Sequence, residues 1–337
     1  MLGALRAPNI VRMYKSWRIW FSKALPMPPK SLVIDCDPGV DDAIALLLAF
    51  VSPELNLLGI TTVAGNVALH HTQTNARKIC ELARRIYIPV YAGCDRPILK
   101  PLNTAEAVHG ETGLHGADLP EPQMPLQPKH AVDYLIEVLM GSPDRVTIAT
   151  LGPLTNLAIA LIKEPRIVTK IAELVIMGGA ISQGNVTASA EFNIHTDPHA
   201  AQIVFSSGIL PTLITLDMTH QVLTTPERLA KFRAMGTSVG NLAADILAHY
   251  GRLEVARHLG KGYPLHDPCV IAYLLQPDLF TTKPFYVEVE TSSPLTMGRT
   301  VVDLWETSGQ PANVNVVQTI NADAVYNLIL ERLAKYL

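Results

Sequence analysis

The chain has 337 residues, 48% of them hydrophobic and 17% charged, with a positive mean hydropathy, so it buries a large core and is not a disordered polymer. A net charge of −3 argues against nucleic acid or an anionic membrane as the main partner. The four cysteines (Cys36, Cys80, Cys94 and Cys269) show no CxxC spacing, which argues against a zinc knuckle or disulfide framework and suits a reducing compartment such as the cytoplasm.

Residues 1–30 hold Arg6, Arg12, Lys15, Arg18, Lys23 and Lys30 and no acidic residue, so the remainder is the more acidic part. This leader is expected to be a disordered basic extension or a misassigned start rather than a working transit signal. It lacks the apolar stretch of a secretory signal. The Pro-rich "PMPPK" joins it to the folded part, and residues 31–337 show no further break, which predicts one domain. No charge-free run of 18 apolar residues occurs, so no membrane span is predicted.

From residue 31 one grammar recurs: a β-branched run, a turn, then an apolar helical pattern. "SLVID" passes through "PG" into "VDDAIALLLAF". "LLGITTVAGN" leads into "HHTQTNARKICELARR", and "RVTIATLGP" into "LTNLAIALIK". "ELVIMGGA" and "PTLITLDMT" are further strands. Such alternation predicts an α/β, Rossmann-like fold with a mainly parallel central sheet and helices on both faces. Ligand chemistry then belongs beyond the carboxyl ends of the strands, where Asp35, Asp37, Asn66, Met177 and Asp217 fall.

Asp35, Asp37, Asp41 and Asp42 crowd into eight positions beside an apolar core. Asp41 and Asp42 fall in the first turn of the helix, where each carboxylate gains roughly 0.3–1 kcal/mol. Close like charges in a partly buried loop repel by more than that. Either some of these groups are protonated or a cation sits among them. Oxygen-only ligands favour Ca²⁺ or Mg²⁺ over zinc, and a clustered carboxylate set leans towards Ca²⁺. The loop lacks the spacing and terminal Glu of an EF-hand.

In "LHDPCVIAYLL", Asp267 reads either as an N-cap ahead of Pro268 or, beside His266, as a further acid of the site. Asp197-Pro198 has the same grammar and reads as a cap. Glu191 and Asn193 in "ASAEFNIH" project to one face if that segment is extended, a pairing that suits polyhydroxyl recognition; two apart in a loop, they read equally as turn chemistry. "AVHGETGLHG" carries His109, Glu111 and His115, as a surface loop or as a lid with a proton donor.

"DCDPGVDDAIAL" resembles the amino-terminal signature of the inosine–uridine-type nucleoside hydrolases. "ITTVAGN", "VHGETGL", "TLGPLTNLAIAL", "VIMGGA", "AEFNIHTDPHAA", "LDMTHQ" and "LHDPCVIAYLL" follow in family order across nearly all of residues 31–337. The first block with "HGETGL…LPEP" is most similar to the bacterial pyrimidine-preferring ribonucleoside hydrolases. The resemblance implies hydrolysis of the N-glycosidic bond of ribonucleosides, uridine and cytidine favoured and inosine possible, to ribose and free base. It implies one Ca²⁺ per subunit held by Asp37, Asp42, Asp267 and the Leu151 carbonyl. Asp37 would be the general base acting on a Ca²⁺-bound water, with Asp35 orienting its loop. Asp41, Asn66, Glu191 and Asn193 would bind ribose beside Met177 and Asp267. His266 matches the leaving-group histidine of purine-active relatives, and His109 the one lining the pocket of pyrimidine-preferring relatives. Tyr250 and Tyr263 are further candidates. Cytoplasmic homotetramers or dimers acting on small-molecule ribonucleosides are implied.

Two other readings compete. A strand ending in Asp35-x-Asp37 suits a phosphatase of the haloacid dehalogenase type, but Gly39 stands where Thr or Val is usual and no later Lys plus acidic pair follows. A Ca²⁺-stabilised nucleoside or ribose binder without catalysis would keep the metal and ribose residues. Retention of Asp37 together with His266 argues against it.

Overall fold

The structure, a computed structural model, describes residues 28–254 and 262–336. The expected basic extension lies outside them except for its last three residues. Eight strands form one sheet: β1 (Lys30–Cys36), β2 (Leu55–Thr62), β3 (Val90–Ala92), β4 (Val146–Thr150), β5 (Ile171–Met177), β6 (Thr212–Ile214), β9 (Phe280–Phe285) and β12 (Val314–Ile320). Their order is β3-β2-β1-β4-β5-β6-β12-β9. Neighbours run parallel except β12 and β9, which close one edge antiparallel. Two small antiparallel pairs lie outside it, β7 (Leu223–Thr224) with β8 (Tyr263–Pro264) and β10 (Val287–Val289) with β11 (Thr300–Val302).

The central strands are buried on both faces, as their unbroken apolar runs require. One core layer packs the sheet against the helices Val40–Val51, Leu69–Leu82, Pro268–Leu275 and Ala322–Leu333. The other packs it against Ala131–Gly141, Thr155–Lys163 and Pro198–Phe205. The predicted fold class is the observed one.

Two features position the site. From β1 the sheet grows through β2 on one side and through β4 on the other, so a crevice opens beyond the carboxyl end of β1, where Asp35 lies level with Thr61 and Thr150. The helix Val40–Val51 starts at that crevice and is buried from Val40 to Phe50. A helix apolar nearly all round must sit inside the protein. Asp41 and Asp42, in its first turn, are buried with it.

Candidate active site

A cavity of about 670 Å³ opens at the carboxyl edge of the sheet. Among the described residues its walls include Asp41, Asn66, His109, Leu151, Met177, Glu191, Asn193, Tyr250, His266 and Asp267. Asp37 and Asp42 are fully buried and are not among the wall residues. The structure thus gathers residues from eight separate stretches of chain.

The turn after β1 sets the acidic centre. Asp42, at the third position of the helix, reaches back to accept the N–H of Gly39 at 3.0 Å and of Asp37 at 3.3 Å. This satisfies amides that a helix start leaves without partners. Asp37 Oδ2 accepts the Asn66 N–H at 2.7 Å. The Asn66 side chain donates to the Asp37 carbonyl at 3.2 Å and to Asp42 at 3.1 Å. Glycines make room: a Cβ at Gly65 or Gly152 would overlap the Asp37 carboxylate.

Carboxylate oxygens of Asp41, Asp42 and Asp267 lie within 4.8 Å of one another. The compact trio therefore contains Asp41 where the sequence suggested Asp37, whose carboxylate is turned to the Asn66 amide. Burial, with the charge of Asp41, pushes the Asp42 carboxyl up to about 7. Burial drives Asp37 well above the carboxylate range, aided by Asp42, and Asp267 likewise, aided by Asp41 and Asp42. Two unit charges 4 Å apart repel by about 4 kcal/mol at an effective dielectric of 20, several times what a helix start returns. Carboxylates this close and this deeply buried cannot all keep their charge unless a proton or a cation sits among them. Asp37 Oδ1 is buried and has no hydrogen-bond partner among the described residues. An orphaned acceptor, three crowded carboxylates and oxygen-only donors fit a hard divalent cation. The Leu151 carbonyl, the fourth suggested ligand, accepts the Asn193 amide at 2.7 Å.

Asp267 occupies the N-cap position of Pro268–Leu275, but its side chain makes no capping bond and serves the acidic cluster. Asp197 does cap, accepting the N–H of Ala200, and also takes the hydroxyl of Thr155. The segment around Glu191 is not extended: Phe192–Thr196 is a short helix with Glu191 as its N-cap. Glu191 accepts the N–H of Asn193, Gly179 and Ile194, and burial pushes its carboxyl up to about 7. Asp217 braces the loop after β5 through the amides of Ile181 and Ser182 and does not line the cavity.

His109 closes the helical turn Glu106–His109 and is buried; its Nδ1 accepts the Val40 N–H at 3.2 Å. Its ring lies 5.9 Å from that of Tyr250. His266 Nδ1 lies 2.7 Å from the Thr219 hydroxyl. Tyr263 stands behind the wall, its ring 5.6 Å from that of Tyr250. Glu111 is exposed, and His115 stacks on His249 at 3.8 Å; neither reaches the cavity. Sequence reasoning missed Asn156, which donates to Asp35, and Thr219. The position of Thr219 just after β6, in "LDMTH", was the available signal.

The family model described as "Inosine-uridine preferring nucleoside hydrolase" matches residues 32–327. An uncharacterized protein of Schizosaccharomyces pombe is 46% identical over 306 residues, covering 90% of this chain and 99% of that protein. The pyrimidine-specific ribonucleoside hydrolase RihA of Salmonella typhimurium is 43% identical over 306 residues, covering 90% and 98%. The solved structure of a purine-preferring ribonucleoside hydrolase from Gardnerella vaginalis superposes with a TM-score of 0.85 at 33% identity, covering 90% of this chain and 98% of that one.

Proposed function

The chain belongs to the inosine–uridine preferring nucleoside hydrolase family and is a ribonucleoside hydrolase, and from that premise we propose that it favours pyrimidine ribonucleosides, uridine and cytidine, and works with Ca²⁺. The observation that carries the site assignment is the buried carboxylate cluster at the inner end of a polar cavity.

Asp37, Asp42, Asp267 and the Leu151 carbonyl would hold the cation, with the Asp41 carboxylate beside it. When bound, such an ion offsets the clustered negative charge and makes a neighbouring water more acidic. Asp37 then acts as general base. Its Oδ1, without a hydrogen-bond partner among the described residues, would face both the cation and the attacking water whose proton it takes, while the Asn66 amide holds Oδ2 and fixes the plane of the carboxylate. Asp41, Asn66 and Asn193 face the cavity with acceptors and donors suited to ribose hydroxyls, and Met177 offers an apolar contact. Glu191 has its oxygens on three backbone amides, so its contribution is to hold the short helix that carries Asn193 against the turn at Gly179 as well as to add negative charge. Negative charge around the sugar stabilises an oxocarbenium-like transition state. His109 and His266, on the cavity wall, serve the leaving base.

Pyrimidine preference is supported by the 43% identical relative named pyrimidine-specific and by His109 in the cavity wall. We take residues 31–337 as one catalytic domain, and the enzyme as a cytoplasmic homo-oligomer, tetramer or dimer. No helix among the described residues is long and apolar enough to cross a membrane. Incubation with uridine, cytidine, inosine and adenosine, with and without chelator, tests the proposal. Release of uracil and cytosine ahead of hypoxanthine and adenine, lost on chelation and restored by Ca²⁺ better than by Mg²⁺, is expected. Faster cleavage of inosine would reverse the base assignment, and full activity after chelation would remove the cation. Binding without cleavage would favour the non-catalytic reading.

A further inference from the structure

The Val40 N–H points at His109 Nδ1 from 3.2 Å. Val40 is the first residue of its helix, so this amide has no partner within the helix. An amide N–H can only donate, so Nδ1 must present its lone pair and the ring proton must sit on Nε2. A second proton on Nδ1 would set two donors face to face and place a cation at the positive end of a buried helix. The seat is tight: a Cβ at Gly39 would fall 2.5 Å from Nδ1, so the missing side chain lets the ring come this close. Burial also holds the imidazole below its ordinary value, against the pull of Asp41. Nε2 makes no hydrogen bond among the described residues, and His109 is part of the cavity wall.

We infer that His109 serves the leaving base as a neutral hydrogen-bond donor through Nε2, its tautomer enforced by the main-chain N–H of Val40, and not as a proton-transferring acid. This rests on the hydrolase assignment and specifies how one residue of that site acts. The glycosidic bond breaks with its electron pair going to the base. Nε2–H stabilises the anion that forms, and the proton count closes with the one given up by the attacking water. His109 begins and ends the cycle neutral.

The test pairs kinetics with ring-nitrogen NMR of the full chain loaded with Ca²⁺ and labelled with ¹⁵N-histidine, the His109 signal being identified by its loss in His109→Gln. The Gln side chain can set an N–H where Nε2 stands, whereas Asn reaches only the Nδ1 position. His109→Gln is expected to keep kcat/KM for uridine within roughly tenfold of wild type, while His109→Asn and His109→Ala lose roughly 10²-fold or more. The wild-type spectrum is expected to show one proton, on Nε2, at neutral pH. Equal loss in His109→Gln and His109→Ala overturns the inference, as does a proton on Nδ1. Wild-type protein inert towards every nucleoside would overturn the hydrolase assignment and the donor role with it, while the spectrum would still report the tautomer.

Discussion

Asn156 donates to Asp35 Oδ1 at 2.8 Å, and neither residue lines the cavity. The same Asp35 oxygen takes the Thr61 hydroxyl at 2.5 Å, while Asn156 also donates to the Thr62 carbonyl and accepts the Cys94 N–H. One buried amide thus ties the ends of β1 and β2 and the turn after β3 to the helix Thr155–Lys163, two residues upstream of Asp37. Asn156→Ala leaves several buried polar groups unpaired, at about 1–3 kcal/mol each. A lower Tm together with reduced kcat is expected. Unchanged thermal unfolding would show that Asn156 does not carry this load.

Stability without the cation depends on pH in a direction the buried acids dictate. Burial raises Asp35 from its ordinary 3.8 to about 6, Asp42 from 3.8 to about 7, and Glu191 from 4.5 to about 7. A carboxyl raised in the folded state favours folding when protonated, so its contribution is full below the unfolded value and is lost as pH rises through the folded one. Chelated protein should therefore melt at a higher temperature near pH 5 than near pH 8, with most of the change between about 4 and about 7. Protein with saturating Ca²⁺ should show a flatter profile, because the ion takes over the neutralising role of the protons. Differential scanning fluorimetry across pH, with and without chelator, measures both curves; a chelated melt that rises towards pH 8 contradicts the assignment.

Gly152→Ala is expected to injure the site while sparing the fold. The new methyl would overlap the Asp37 carboxylate, which is already held on its other side beside Gly65 and by the Asn66 amide. A displaced supporting or ligating group typically costs roughly 10–100-fold in metal affinity or activity. Calcium titration of the chelated variant, alongside its circular dichroism, separates lost binding from lost structure.

Glu191→Gln removes one of two oxygens that together serve three backbone amides, and turns an NH₂ towards an N–H. The mismatch costs about 1–3 kcal/mol. Because two of those amides open the short helix that carries Asn193, KM for uridine should rise along with the loss of stability. Unaltered KM and Tm would show that the carboxylate is not needed as an acceptor.

Much of this architecture is visible in the sequence because β-branched runs followed by Gly or Pro turns have few ways to fold other than as parallel strands with crossover helices. The rule that chemistry gathers at the carboxyl ends located Asp35, Asp37, Asn66 and Met177 near the crevice. The antiparallel edge pair β9 and β12 was not legible, since its pairing depends on chain direction across a long separation. Whether Glu191 sits in an extended segment or a turn stayed open in the sequence, because two-residue spacing says nothing about whether a carboxylate will cap the next turn. Asn156 was hidden within "LTNLAIAL", where a single amide in an apolar helix pattern gives no hint that its partner is Asp35. That Asp41 joins Asp42 and Asp267 in the tight trio, and Asp37 does not, depends on side-chain rotation that spacing does not encode.

Asp41 and Asp42 enter the fold with the helix Val40–Val51, and Asp267 only with the segment leading into Pro268–Leu275. A nascent chain still lacking that last stretch has no third carboxylate to complete the trio. A cation held by this trio would therefore load only after most of the polypeptide is translated, so that uptake of the proposed ion would report a finished molecule rather than a partly made one.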